Sequence, residues 1–212
     1  MNYNYNECGN YIVPYYCKNG ICVDIGGNLG SFSLKYKDFF KLIHIYEPQT
    51  ECCKIINNRL NEKHIKVFKK AVFDQSNSLI NLVKHKNNDS GSVSCYDDQI
   101  VIQEWNTNDI VDLNVETISI EDVKTIAGGR IDYLKMDCET SEYKILYNHD
   151  LSNIKYLGIE LHWQMGAENW NNLINYIHKF FFQVTSLNLE YRNDNIEVLF
   201  KSLHDCNSCI SP

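Results

Sequence analysis

The chain has 212 residues, 44% hydrophobic and 22% charged, a balance that excludes disorder and a coiled coil and suits one domain with a substantial core. A formal net charge of -7 leaves no broad basic surface for phosphates, and no apolar run approaches the roughly 20 residues needed to span a bilayer, so neither a nucleic-acid nor a membrane partner is expected. The polar start Met1-Asn2-Tyr3-Asn4 and nine cysteines without framework spacing predict a cytoplasmic protein with free thiols.

From residue 20 onward, short apolar runs alternate with helical stretches, the pattern of a mostly parallel sheet covered by helices. Ile21-Cys22-Val23-Asp24-Ile25 reads as a buried first strand, residues 31–40 as a helix and 42–46 as the second strand. Residues 48–61 have helical character, and 65–68 with 71–73 supply a third strand and the turn at its end. Runs at 79–83 and 100–105, separated by a polar loop at 86–94, predict a β-hairpin insertion. Ser119 with Asp122 predicts a capped helix ending near Gly128-Gly129. A strand at 131–136, a helix at 141–148, a strand at 156–161, a helix at 169–180 and strands at 183–189 and 196–200 follow. There is no internal repeat or linker, so the reading is a single domain over 1–212, with an N-terminal extension (1–19), a Rossmann-like core (20–203) and a tail (204–212).

The glycine loop Asp24-Ile25-Gly26-Gly27-Asn28-Leu29-Gly30 joins a strand to a helix, where close backbone approach and unpaired amides favour an anionic ligand. A dinucleotide fingerprint requires G-x-G-x-x-G, but with Gly26 in its middle Asp24 stands first and Leu29 last, which disfavours a nicotinamide oxidoreductase. An acid at the strand end followed by G-x-x-x-G instead resembles the loop of S-adenosylmethionine-dependent methyltransferases, in which Asp24 would accept hydrogen bonds from the amino-acid part of the cofactor, directly or through water. Glu47, after the second strand, suits a bidentate bond to ribose hydroxyls, and Asp74 is a candidate acceptor for the adenine amino group.

A second cluster ends the fourth strand, where alternation puts Asp137 and Glu139 on one side at the carboxyl edge of the sheet. His162 follows the fifth strand in Gly158-Ile159-Glu160-Leu161-His162 and is a candidate general base because its ordinary pKa lies near neutrality. Glu142 is explained by the first turn of a helix capped at Thr140 or Ser141. Cys206-Asn207-Ser208-Cys209 is half of a usual zinc set and reads as two free thiols.

Together these segments resemble the FkbM family of methyltransferases, over residues 20–162 in order. The matching motifs are Val23 through Ser33, Tyr46-Glu47-Pro48, Ala71-Val72, Gly91-Ser92-Val93-Ser94, Thr117 through Asp122, and Ile131 through Glu139. The resemblance implies a class I methyltransferase α/β fold, a Rossmann-like sheet with helices on both faces, and methyl transfer to a hydroxyl, often on a sugar or polyketide-like product. It implies cofactor contacts from Asp24, Gly26, Gly27, Asn28, Gly30 and Glu47. One departure is visible: the family commonly has Glu-Gly after the fourth-strand aspartate, whereas here Glu139 precedes Thr140.

The expected mechanism aligns an alcohol with a sulfonium methyl and removes the alcohol proton at Asp137, Glu139 or His162. Metal assistance by the same atoms is a less favoured alternative, as is a non-catalytic protein that retains the cofactor loop. The expected acceptor is a small molecule or glycan, with Tyr96, Trp105 and Trp163 available to stack on a sugar face.

Overall fold

The computed structural model describes residues 11–84, 93–95, 110–187 and 196–203. Strand β1 (Ile21–Ile25), apolar on both faces, runs into a loop and a short helix α1 (Ser31–Tyr36). Strand β2 (Leu42–Tyr46) lies parallel to β1, helix α2 (Thr50–Arg59) crosses back, and β3 (Ile65–Phe68) extends the sheet. The first helix is shorter than the sequence pattern suggests because residues 37–39 close it as a turn.

The expected third strand divides in two. Lys69 is exposed and Lys70 pairs with Glu116 at 2.6 Å, so the chain leaves the first sheet there and Ala71–Phe73 becomes β4 of a second one. That sheet has the order β4-β7-β5-β6, with β5 at Leu79–Lys84, β6 at Val93–Cys95 and β7 at Ile110–Ser119. β5 and β6 form an antiparallel pair, so Val93 and Ser94, expected in a polar loop, are in a strand. The other expected arm, 100–105, lies outside the described residues.

Ser119 ends β7 and caps helix α3 (Ile120–Ile126), its hydroxyl accepting the Asp122 N–H as the sequence spacing predicts. Strand β8 (Tyr133–Met136), helix α4 (Glu142–Leu146), strand β9 (Tyr156–Leu161) and helix α5 (Ala167–Ile177) follow, then β10 (Phe181–Leu187) and β11 (Ile196–Ser202). The main sheet has the order β10-β11-β9-β8-β1-β2-β3, with β11 antiparallel to both neighbours and the remaining pairs parallel.

Strand alternation builds a core on each face. Val23, Ile25, Leu134 and Met136 pack with Val123 of α3, Ile145 of α4 and Leu173 of α5, while Cys22 and Tyr133 pack with Phe32 of α1 and Ile56 of α2. Tyr11 joins the second core, and its hydroxyl donates to the Met136 carbonyl at 3.2 Å. No helix of the described residues is long and apolar enough to cross a membrane. Strand order reverses between β1 and β8, which opens a crevice at their carboxyl ends.

Candidate active site

That crevice is a cleft of about 680 Å³, counting the space open at its mouth, a size that suits a small organic ligand. Gly26, Asn28 and Glu47 wall it on one side, and Asp137, Glu139 and Ser141 on the other. Ala71, Phe73, Ile80, Leu82 and Val93 of the second sheet close it with an apolar wall.

The glycine loop is shaped by backbone constraints. Gly26 has φ +75°, and a side chain there would strike the Asp137 carbonyl oxygen; Asn28 and Gly30 also have positive φ. Gly27 packs against Ile45, and Gly30 against Ile56 and Leu60, so of the predicted cofactor glycines only Gly26 faces the cleft. Behind the loop, strand register sets Asp24 beside Lys135. The Lys135 ammonium lies 3.3 Å from Asp24 Oδ1 and donates to the Gly26 carbonyl at 2.7 Å, while Asp24 Oδ2 accepts from the Ser33 hydroxyl at 2.7 Å. Burial opposes the lysine charge, but Asp24 and Asp137 outweigh it and hold its pKa above the usual lysine range.

These contacts bear on Asp24, expected to meet the cofactor's amino-acid part directly or through water. The carboxylate is wholly buried and off the cleft wall, because alternation along β1 gives the wall to Ile25; it shapes the loop through Lys135. Asp74 is exposed in the bend after β4 and is also off the wall, where its neighbour Phe73 stands instead.

Glu47 does reach the cleft. Its oxygens accept the Asn28 N–H at 2.7 Å and the Gln49 N–H at 2.8 Å. Burial raises its pKa to about 7 against those two bonds, with Lys135 lowering it and Asp24 raising it.

The predicted cluster of Asp137, Glu139 and His162 is brought together at the ends of β8 and β9. His162 Nε2 lies 3.6 Å from Glu139 Oε2 and 3.9 Å from Asp137 Oδ1. Two further acids that sequence reasoning left out belong with it: Glu142, whose Oε1 is 3.0 Å from His162 Nδ1, and Glu160, whose Oε1 is 3.8 Å from Nε2. Glu160 is legible in the sequence as the strand residue two before His162, whereas the helix turn alone explains Glu142 there. Burial opposes a charge on His162, but Glu142 first, then Glu139 and Asp137, hold its pKa well above the usual imidazole range. The ring therefore sits among acids that favour its charged form, a setting different from the near-neutral imidazole expected from sequence. Burial likewise raises the Glu139 carboxyl, with His162 opposing.

Glu139 and Thr140 have φ +48° and +81°, so the chain turns sharply after Asp137 instead of staying extended. Trp163, beside His162, is 47% exposed and meets Trp170 edge to face at 5.3 Å. Tyr96, Trp105, Gly91, Ser92, Cys206 and Cys209 lie outside the described residues.

Residues 24–194 match the family model described as the methyltransferase FkbM domain. No curated protein matches the chain in sequence. Among solved structures, Sp1610 of Streptococcus pneumoniae, provisionally described as a tRNA (m1A22) methyltransferase, is 10% identical with a TM-score of 0.50, covering 87% of this chain and 64% of its own. Methyltransferase FkbM from Methylobacillus flagellatus KT is 15% identical, with a TM-score of 0.49 and coverage of 90% and 48%. M. capricolum TrmK, solved with S-adenosyl-homocysteine, is 12% identical, with a TM-score of 0.46 and coverage of 89% and 66%. The chain therefore spans about half to two-thirds of the length of these proteins. The fold is the Rossmann-like sheet of the class I methyltransferases.

Proposed function

Because the chain belongs to the methyltransferase FkbM domain family, we propose that it transfers the methyl group of S-adenosylmethionine to a hydroxyl of a sugar or sugar-containing metabolite. The observation that carries this reading is the meeting, in one cleft, of the Gly26 loop and Glu47 with Asp137 and Glu139. When bound, S-adenosylmethionine supplies a sulfonium methyl group activated for transfer and is left as a neutral thioether.

The chain's own residues fit that cofactor. Glu47 is a buried carboxylate at the end of β2, suited to accept ribose hydroxyls, and the apolar wall of Ala71, Phe73, Ile80 and Leu82 suits a purine. Gly26 and Asn28 bring backbone close to the amino-acid part, with Lys135 fixing the loop. Glu139, on the opposite wall, takes the acceptor proton as the oxygen attacks; Asp137 orients the hydroxyl, and His162 stands behind both acids. Net charge and the acidic wall disfavour a polyanionic acceptor, which supports a glycan or small metabolite over nucleic acid.

Calorimetry should show S-adenosylhomocysteine binding, and methyl-labelled cofactor should transfer label to oxygen in a glycoside or nucleotide-sugar pool. Glu139→Gln should retain cofactor binding and lose transfer. Label on nitrogen or on nucleic acid would overturn the acceptor; absence of cofactor binding to folded protein would overturn the whole reading.

A further inference from the structure

His162 is 2% exposed, and its ring orientation is set by Glu142. The Glu142 carboxylate is itself wholly buried, and the same oxygen accepts the Cys138 N–H at 2.9 Å and the His162 Nδ1–H at 3.0 Å. A carboxylate accepts only, so the Nδ1 proton is fixed and Nε2 is the atom presented to the rest of the cluster. Nε2 faces Glu139, Glu160 and Asp137 at 3.6, 3.8 and 3.9 Å and is within hydrogen-bond distance of none of them.

That spacing differs from an ordinary ion pair, in which an imidazolium N–H closes on one carboxylate at about 2.7–2.9 Å. Here a buried ring nitrogen is spread among several oxygens. One oxygen of Asp137, one of Glu160 and a nitrogen of His162 lie within 4.8 Å of one another. Donors on one ion with bonds of about 2.1 Å sit roughly 3 to 4 Å apart, so small side-chain rotations close the set. Lys135 lies 3.9 Å from Asp137 Oδ2, the other oxygen of that carboxylate, which leaves Oδ1 for the ion.

We propose that Asp137, Glu160 and His162 bind one divalent cation of the type represented by Mn²⁺, with Glu142 orienting the histidine ligand. Two carboxylates and one imidazole suit a first-row ion that accepts oxygen and nitrogen together; calcium favours six to eight oxygens, and structural zinc a closed set of four. The Glu142–His162 bond is the arrangement by which a carboxylate orients and strengthens a histidine ligand. Asp137 also lines the cleft, so it is the ligand that sets the ion beside the space for an acceptor. The site rests on these side chains, and only its use in lowering an alcohol pKa rests on the methyltransferase reading.

The test titrates tag-free, chelator-stripped protein with MnCl₂ alone, without cofactor, reading free Mn²⁺ by electron paramagnetic resonance and heat by calorimetry. One equivalent should bind saturably and raise the wild-type melting temperature. Glu160→Gln and His162→Gln should each weaken binding at least tenfold, and Glu142→Gln should weaken it about 10- to 100-fold although it is not a ligand. Circular dichroism identifies any variant that fails to fold, and the wild-type titration decides the matter without the variants. No saturable binding to folded wild-type protein overturns the site, as does equal affinity in folded Glu160→Gln and His162→Gln. Mn²⁺ binding without S-adenosylhomocysteine binding would leave the ion site standing and remove the methyltransferase reading; the reverse result would remove only the ion.

Discussion

Two sharp turns face each other across the cleft, at the carboxyl ends of the paired strands β1 and β8. The first places Gly26, Asn28 and Gly30 at positive φ; the second places Glu139 and Thr140 there. Glycine and asparagine enter the left-handed region at little cost, whereas a β-branched threonine is strained in it. The glycine turn lets backbone approach a ligand and offers few side chains. The acidic turn accepts strain and in return aims carboxylates into the cleft, as backbone outliers at functional sites commonly do.

The two turns are tied together by Lys135, and removing that tie has the largest expected effect. Lys135→Met leaves Asp24 buried without its cation and the Gly26 carbonyl without a donor. Urea unfolding should show a loss of about 3–5 kcal/mol, and the double variant Asp24→Asn, Lys135→Met should recover much of it. A loss under about 1 kcal/mol would mean that the turns stand independently.

Next is Gly26→Ala, in which the new methyl meets the Asp137 carbonyl oxygen, an atom of the opposite turn, at a φ of +75°. Strain and overpacking together should cost about 3 kcal/mol and weaken S-adenosylhomocysteine binding in calorimetry. Gly30→Ala, whose neighbours are the side chains of Ile56 and Leu60, should cost less because those side chains can yield.

Glu47 gives the glycine side a pH dependence. Its pKa rises from 4.5 to about 7 on folding, so between those values the folded protein holds more protons than the unfolded chain. Stability therefore falls as pH rises through that window, by on the order of 3 kcal/mol for this group. Glu47→Gln should remove that part of the slope in urea titrations from pH 4.5 to 7.5. Separately, it should weaken S-adenosylhomocysteine by roughly 1.5–3 kcal/mol if the carboxylate accepts ribose hydroxyls. An unchanged dissociation constant would take Glu47 out of the cofactor site.

The glycine side was the more legible from sequence because its parts are local. Gly26 through Gly30 and Glu47 occupy fixed offsets from two strands whose bounds, 21–25 and 42–46, matched the apolar pattern. One step of alternation along the first strand puts Asp24 on the face of Cys22, behind the wall that Ile25 supplies. The acidic side depends on β8 and β9 lying together, so Glu142 and Glu160 join His162 only once the sheet is assembled. The second sheet was read poorly because its strands pair across an insertion. Even so, Val111-Asp112-Leu113-Asn114-Val115-Glu116 carries the period-two pattern that would have revealed β7.

The smallest expected effect bears on the acidic turn itself. Thr140 stands where the related family commonly has glycine, and its φ of +81° is a conformation glycine adopts freely. Thr140→Gly loses buried methyl contacts, the 3.4 Å approach of Oγ1 to the Ser94 hydroxyl, and some unfolded-chain restriction, the last worth about 0.5–1 kcal/mol. Against this stands relief of about 1–3 kcal/mol of backbone strain, so the net gain should be about 1 kcal/mol, or roughly 2–4 °C in melting temperature. Thr140→Ala separates the terms, because it keeps a Cβ in the left-handed region while removing the hydroxyl and the branch. If Thr140→Gly melts lower than wild type while Thr140→Ala does not, the Cβ is tolerated there, and the acidic turn stores no more strain than its glycine counterpart.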